Sequence, residues 1–285
     1  MTRSFGERPS GVRRLLAVTL GWEDLPLSVS IEGAPPEERL VEPVPGVLAE
    51  CDGGWVLLDT GFNPVLIRDP ALRRRFHPGG RFTPILPPGD DDPLEAALEA
   101  CGLGLDDIEA VGISHLHSDH VGGVRHFAGK VPVHLQRREL DFALVDNPVP
   151  SHHGMHRIDF DDPAIDWVLA DGDVEIAPGI TAVATPGHTP GHQSFVVDFD
   201  PSVGGGGVVL AFDAADLRRN IDEEISIGGR VDASPEEAVG QIRRLKAIAA
   251  EKGYEVVPGH DPVAWPEFTE AMAERFGELI PPAAG

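Results

Sequence analysis

Along the first 60 residues, apolar positions come in short runs broken by charged or turn-forming residues. The runs at 15–20, 27–31, 45–49 and 55–58 predict four strands. The pattern then lengthens. "PLEAALEACG" predicts a helix, with Pro93 at its first position and Gly102 just past its end. "SPEEAVGQIRRLKAIAAEKG" predicts a longer one, in which Ser234 caps, Glu237 returns the capping bond and Gly253 terminates. Ala238, Ile242, Leu245 and Ile248 make its apolar face.

Between these helices, "EAVGIS", "VPVHL", "ITAVAT", "QSFVVDF" and "VVLAFD" read as strands, with the four glycines at 204–207 as a hairpin turn. "YEVVP" follows the second helix as a short strand, and another helix follows it. Residues 144–166 lack periodicity and are rich in His, Asp and Pro, so a long loop is expected there. The order of elements predicts a layered α/β protein with helices covering sheets, in one domain over residues 1–285.

Composition narrows the classes. With 41% hydrophobic and 25% charged residues the chain reads as soluble and globular. No stretch approaches the roughly 20 apolar residues of a membrane span. Arg13 and Arg14 precede an apolar run in the manner of an export signal, but the run stops at Trp22-Glu23-Asp24 with no small-residue cleavage site. A strand is expected there instead, in a cytoplasmic protein. Cys51 and Cys101 form no Cys-x-x-Cys pair and read as buried free thiols. A net charge of −24 opposes nucleic-acid binding, which needs cationic surface.

The chemistry concentrates where predicted strands end. "ISHLHSDHVGG" puts His115, His117, Asp119 and His120 within six residues after one strand. "ITAVATPGH" delivers His188, "VVLAFD" delivers Asp213, and "YEVVPGH" delivers His260. Imidazole and carboxylate groups converging from strand ends suit divalent transition metals, and five His with two Asp are enough for two ions about 3.5–4 Å apart. His192, four residues beyond His188, reads as a supporting residue. His77, His126 and His134 read as exposed. His152, His153 and His156 are candidates to line the site from the long loop.

The H-x-H-x-D-H motif, two Pro-Gly-His turns and a strand-end Asp together resemble the metallo-β-lactamase superfamily, and "LLDTG" at 57–61 matches a further element of it. The resemblance covers roughly residues 45–265. It implies an αβ/βα sandwich of two mixed β-sheets flanked by helices, with a dinuclear site at one edge. It also implies that His115, His117 and His188 hold the first ion, that Asp119, His120 and His260 hold the second, and that Asp213 bridges them. Asp59 would orient one of these ligands, and Asp119 would double as proton shuttle. The ions are expected to be zinc, with iron, cobalt and manganese as alternatives.

Within the superfamily, "DGDVEIAPGITAVATPGHTPGHQSFVV" followed by "AFDAADLRRNIDEE" is most similar to the quorum-quenching N-acyl homoserine lactonases. That likeness implies opening of a lactone by a hydroxide held between the two ions. A glyoxalase-II-like thioesterase, another cyclic ester or amide hydrolase, and a metal-binding protein without hydrolytic activity stay open. The expected partner is a small ester or lactone, with no nucleic acid and no membrane, and a homodimer is left open. One position departs from the lactonases, which carry a tyrosine three residues after the bridging Asp. Here that position is Asp216, which makes it the candidate substrate-binding residue.

Overall fold

A computed structural model describes residues 11–89, 91–146 and 154–277. Twelve strands are found among them: β1 Arg14–Pro26, β2 Arg39–Cys51, β3 Gly54–Leu58, β4 Thr83–Ile85, β5 Ile108–Gly112, β6 Pro132–Gln136, β7 Asp166–Ala170, β8 Val174–Ala177, β9 Ile180–Ala184, β10 Gln193–Asp198, β11 Gly207–Phe212 and β12 Glu255–Pro258. They form a seven-stranded sheet in the order β4-β1-β2-β3-β5-β6-β7 and a five-stranded sheet in the order β12-β11-β10-β9-β8.

The alternation of side chains along each strand builds the layers. In β1, Leu15 and Ala17 face the interior between the sheets, packing with Val47, Phe195 and Phe212. Leu16, Val18 and Leu20 face the opposite way, into a layer with Leu94, Leu98 and Phe127. On the outer face of the second sheet, Val196 and Val209 meet Ile242, Leu245 and Ala249 of the helix Pro235–Lys252. The result is two mixed sheets face to face with helices outside each, an αβ/βα sandwich.

Strand direction gathers the loops that matter. β3 and β5 pair in parallel, so their C-terminal ends emerge together. β9 and β11 are each antiparallel to β10, and β12 is parallel to β11, so these three also end on one edge. Asp59, the 113–123 segment, His188, Asp213 and His260 all follow these ends. Two backbones are strained there: Asp59 and Phe212, neither of them glycine, have φ of 58° and 46°. Such conformations persist where surrounding structure holds them, and they cluster at functional sites.

Two sequence expectations fail locally. Residues 27–31 are not a strand, because Leu27–Ser30 forms one helical turn closed by Ile31 N–H donating to Leu27 O at 2.8 Å. A run of five apolar residues cannot fix its own period, and Pro26 ends the β1 ladder by removing a donor. The 144–166 stretch is only partly loop, since Phe142–Asp146 and Arg157–Phe160 are helical. β1 runs on past the end of its apolar run at Trp22-Glu23-Asp24 and pairs with β2 through Pro26, with one register shift between Thr19 and Gly21.

Gly122, just after the histidine-rich segment, lets two loops touch. A Cβ there would stand 2.1 Å from Asn63 N and 2.5 Å from Phe62 C, both backbone atoms. Gly122→Ala should therefore cost about 3 kcal/mol, the upper end for overpacking. Urea denaturation at fixed metal concentration measures it, and an unchanged midpoint would show that the two loops separate freely.

Candidate metal centre

The turn after β5 presents His115 and His117, and the short helix Ser118–Val121 presents Asp119 and His120. His117 Nδ1 lies 2.9 Å from His115 Nε2 and 2.7 Å from His188 Nε2. His188 reaches this point from the Pro-Gly-His turn after β9. A buried glutamate ties the two turns together: Glu139, fully buried, accepts from Leu116 N at 3.0 Å and from Gly191 N at 2.9 Å. Leu116 separates His115 from His117, and Gly191 follows His188 by three residues, so one side chain sets the spacing of three imidazoles.

A second group faces the first. His120 Nε2 is 3.0 Å from Asp119 Oδ2, and His260 Nε2 is 4.0 Å from the same oxygen. Asp213 stands between the groups and divides its oxygens. Oδ2 lies 3.3 Å from His188 Nε2 and 3.7 Å from His115 Nε2. Oδ1 lies 3.1 Å from His260 Nε2 and 3.2 Å from His120 Nε2. Ligand-type atoms of His115, His117, His188 and Asp213 all fall within 4.8 Å of one another, and so do those of Asp119, His120 and His260. The structure thus brings together all seven residues singled out from the sequence.

The charges suit two cations. Burial pushes His115 and His188 well below the usual imidazole range, so both are neutral and offer lone pairs. His117 Nδ1 faces ring nitrogens on two sides and can satisfy only one of them with a proton. Around His120 the balance reverses: burial alone would depress it, but Asp119, Asp213 and Asp59 outweigh burial and raise its pKa. His260 is raised in the same way, by Asp213 and Glu42 against burial. One group collects unshared lone pairs, and the other collects carboxylates that demand positive charge. A pair of divalent ions would answer both, with imidazole nitrogen and carboxylate oxygen as suitable ligands.

Asp59 braces the second group. Its oxygens accept from Ser114 N and Ser114 Oγ at 2.7 Å each and lie 2.6 Å from His120 Nδ1. A carboxylate on the outer nitrogen fixes a ligand imidazole's tautomer and leaves Nε2 to face the centre. Ser114 could not be singled out from sequence, since a serine beside a histidine cluster is unremarkable. His192 lies outside both groups and bonds Thr185 Oγ1 through Nδ1 at 2.9 Å.

A cavity of about 400 Å³ opens over the centre. Asp216 lines it, 3% exposed, and its Oδ1 has no hydrogen-bond partner. Burial first, then Asp213 and Glu42, push its carboxyl well above the usual range. Glu23 and Glu42 line the same space, and neither stood out in the sequence. The available signal was a charged residue at an inward position of a strand, visible only once the register is known. His77 is a correction: expected exposed, it is buried, because the helix Pro70–Phe76 ends over Phe62 and sets its ring 4.9 Å from that of His156. Burial lowers both imidazoles to about 4. His126 and His134, also expected exposed, are half-buried: His126 lies 3.1 Å from Asp92, away from both groups, and His134 lies in β6. His152 and His153 fall outside the described residues.

Residues 41–260 match the family model described as the metallo-beta-lactamase superfamily. The chain is 34% identical over 238 residues to the N-acyl homoserine lactonase AttM of Azorhizobium caulinodans, covering 80% of this chain and 86% of that one. It is 30% identical over 226 residues to the N-acyl homoserine lactonase AiiA of Bacillus thuringiensis subsp. kurstaki, covering 79% and 84%. A solved N-acyl homoserine lactone hydrolase, with the product N-hexanoyl-L-homoserine bound at its catalytic metal centre, superposes with a TM-score of 0.76 at 28% identity. That match covers 92% of this chain and 96% of the other.

Ions that bind only the folded chain stabilise it by mass action, by about 2.7 kcal/mol per site at a hundredfold excess over Kd. Thorough chelation should therefore lower the melting temperature by several degrees. Restoring divalent metal should return it with two ions per chain by elemental analysis. Saturation at one ion, or an unmoved transition, would contradict a paired centre.

Proposed function

The chain belongs to the metallo-beta-lactamase superfamily, and from that premise we propose that it is a two-metal hydrolase that opens lactone rings. The observation that carries the two-metal reading is the division of Asp213 between the imidazole pairs His115/His188 and His120/His260. The lactone follows from relatives named as N-acyl homoserine lactonases, aligned over four-fifths of the chain. Zinc is the ion we assign, since an imidazole-rich set with carboxylate suits it. Two free buried thiols, Cys51 and Cys101, fit a cytoplasmic setting.

His115, His117, His188 and Asp213 would hold one ion, and Asp119, His120, His260 and Asp213 the other. When bound, the ions supply Lewis acidity that acidifies water and polarises the substrate carbonyl. The chain's own residues do the rest. Asp119 is ionised: burial would raise its carboxyl, but His120 and His260 hold it down to about 2. It lines the cavity and can take the proton released by the attacking water. It then passes that proton to the alkoxide freed on ring opening. Asp59 keeps His120 aimed through this cycle. Asp216, buried and held neutral, donates its proton in a hydrogen bond to the lactone carbonyl, the task that a tyrosine hydroxyl performs in the lactonases it resembles.

A panel of N-acyl homoserine lactones, plain γ- and δ-lactones and S-lactoylglutathione tests the reaction. We expect kcat/KM on the best lactone at least a hundredfold above that on the thioester. Preference for the thioester, or no lactone opened by the two-metal protein, would sink the reading.

The Asp216 role has its own signature. The donating form is the neutral acid, present below the raised pKa and lost as pH rises through it. Wild-type turnover should fall along that limb. Asp216→Asn, a donor at every pH, should flatten the limb and stay within about tenfold of wild type at its optimum. A thousandfold loss in Asp216→Asn with both metals retained would mean that the ionised carboxylate is essential.

A further inference from the structure

One wall of the cavity carries two carboxyls, Glu23 and Glu42, that the chemistry above does not explain. Glu23 and Glu42 are direct cross-strand partners in the β1–β2 register, so their side chains leave the same face of the sheet. Both line the cavity together with Asp216. Like charges placed directly opposite destabilise a sheet, and burial pushes both carboxyls up, Glu42 to about 7, so the pair holds its full negative charge only beside a compensating cation. Among the described residues no Lys or Arg ion pair reaches either glutamate. Glu42 accepts from Ser30 Oγ at 2.9 Å, and its other oxygen is 4.0 Å from His260 Nδ1, which already bonds Pro43 O at 2.8 Å. Arg81, the one Lys or Arg lining the cavity, lies over the Phe82 ring. Asp216 adds an independent pointer to a ligand: its Oδ1, buried in this wall, accepts no hydrogen bond.

The wall is not laid out as a chelate. Among the described residues, the groups of three or more ligand-type side chains converging within 4.8 Å are the two at the centre and Asp92, Glu95 and His126. Glu23, Glu42 and Asp216 do not form one, so a single metal ion could not draw on all three. Spread acceptors instead fit an organic cation with several donors or a diffuse charge.

We propose that Glu23 and Glu42 bind an ammonium group of the substrate next to the carbonyl held by Asp216, so that the preferred lactone carries a protonated or quaternary amine beside its carbonyl. This rests on the lactone reading and narrows it: the substituent is cationic rather than a plain acyl chain.

The test uses two γ-butyrolactones of matched shape, one with an α-trimethylammonio and one with an α-tert-butyl substituent, whose charges do not change with pH. The ratio of their kcat/KM values is measured for the two-metal wild type, Glu23→Gln and Glu42→Gln. The cation's effect on intrinsic carbonyl reactivity cancels between enzymes. We expect each substitution to lower the ratio at least tenfold. A smaller change, including an equal loss on both substrates, overturns the proposal, because a structural role for the glutamates predicts it. Should the variants fail to fold, calorimetry on the two-metal wild type with the corresponding γ-lactams decides. Binding of the cationic lactam at least tenfold tighter supports the wall, and equal or weaker binding overturns it. If the wild type opens neither these lactones nor unsubstituted γ-butyrolactone yet still prefers the cationic lactam, the lactone reading fails while the ammonium site stands.

Discussion

Seven lone-pair-bearing groups converge at the edge of two sheets, and only added positive charge can hold them there at low cost. The imidazole and carboxylate atoms of the centre stand 2.7–4.0 Å apart in a nearly dry interior. Without cations, the protein must place a proton in one half and leave nitrogens facing each other in the other. Much of the architecture serves to impose this arrangement. Strained backbone at Asp59 and Phe212 turns carboxylates over the strand ends. Gly259 is needed because a Cβ there would come within 2.9 Å of Phe212 Cα. Glu139 and Asp59 then hold the loops against relaxation, each through backbone or ring donors of ligand-bearing turns.

The clamps explain how loops can carry precise chemistry. Loops are ordinarily the mobile part of a fold. Here the turns that carry His115, His117, His120 and His188 are fixed from outside by buried carboxylates, Glu139 and Asp59, at the expense of desolvating them. Burial pushes Glu139 up to about 7, against the pull of the Leu116 and Gly191 amides. A carboxyl in that state is costly to bury, so its presence marks where positional rigidity is worth more than solvation.

The sequence made the ligand set legible because metal binding uses a small vocabulary of residue types at strand ends, and each end is announced by a hydrophobic run. His115, His117, His188 and His260 needed only that grammar. Most strands were legible for the same reason, as was the helix Pro235–Lys252, whose cap at Ser234 and stop at Gly253 are written in residue type. What stayed hidden depends on register and packing. Glu23 and Glu42 become a pair only when β1 and β2 align. His77 looks like a surface histidine until the helix before it folds over Phe62. The turn at Leu27–Ser30 reads as a strand because a few apolar residues satisfy either period.

Charge balance separates the part of the cavity that serves the ions from the part that faces outward. Two divalent ions bring four positive charges, and Asp59, Asp119 and Asp213 answer three of them. The imidazoles add none when they act as neutral ligands. The centre is therefore close to neutral with its own carboxylates, and further acids are surplus to it. If Glu23 and Glu42 were needed only for solubility, exposed surface would serve better, as it does for the acids behind the net charge of −24. Burying surplus carboxyls beside a centre already balanced is expensive, and evolution has cheaper neutral side chains for a passive wall. An occupant with complementary charge offsets that cost, and the proposed ammonium site then places selectivity in β1 and β2 and leaves hydrolysis to the strand-end loops.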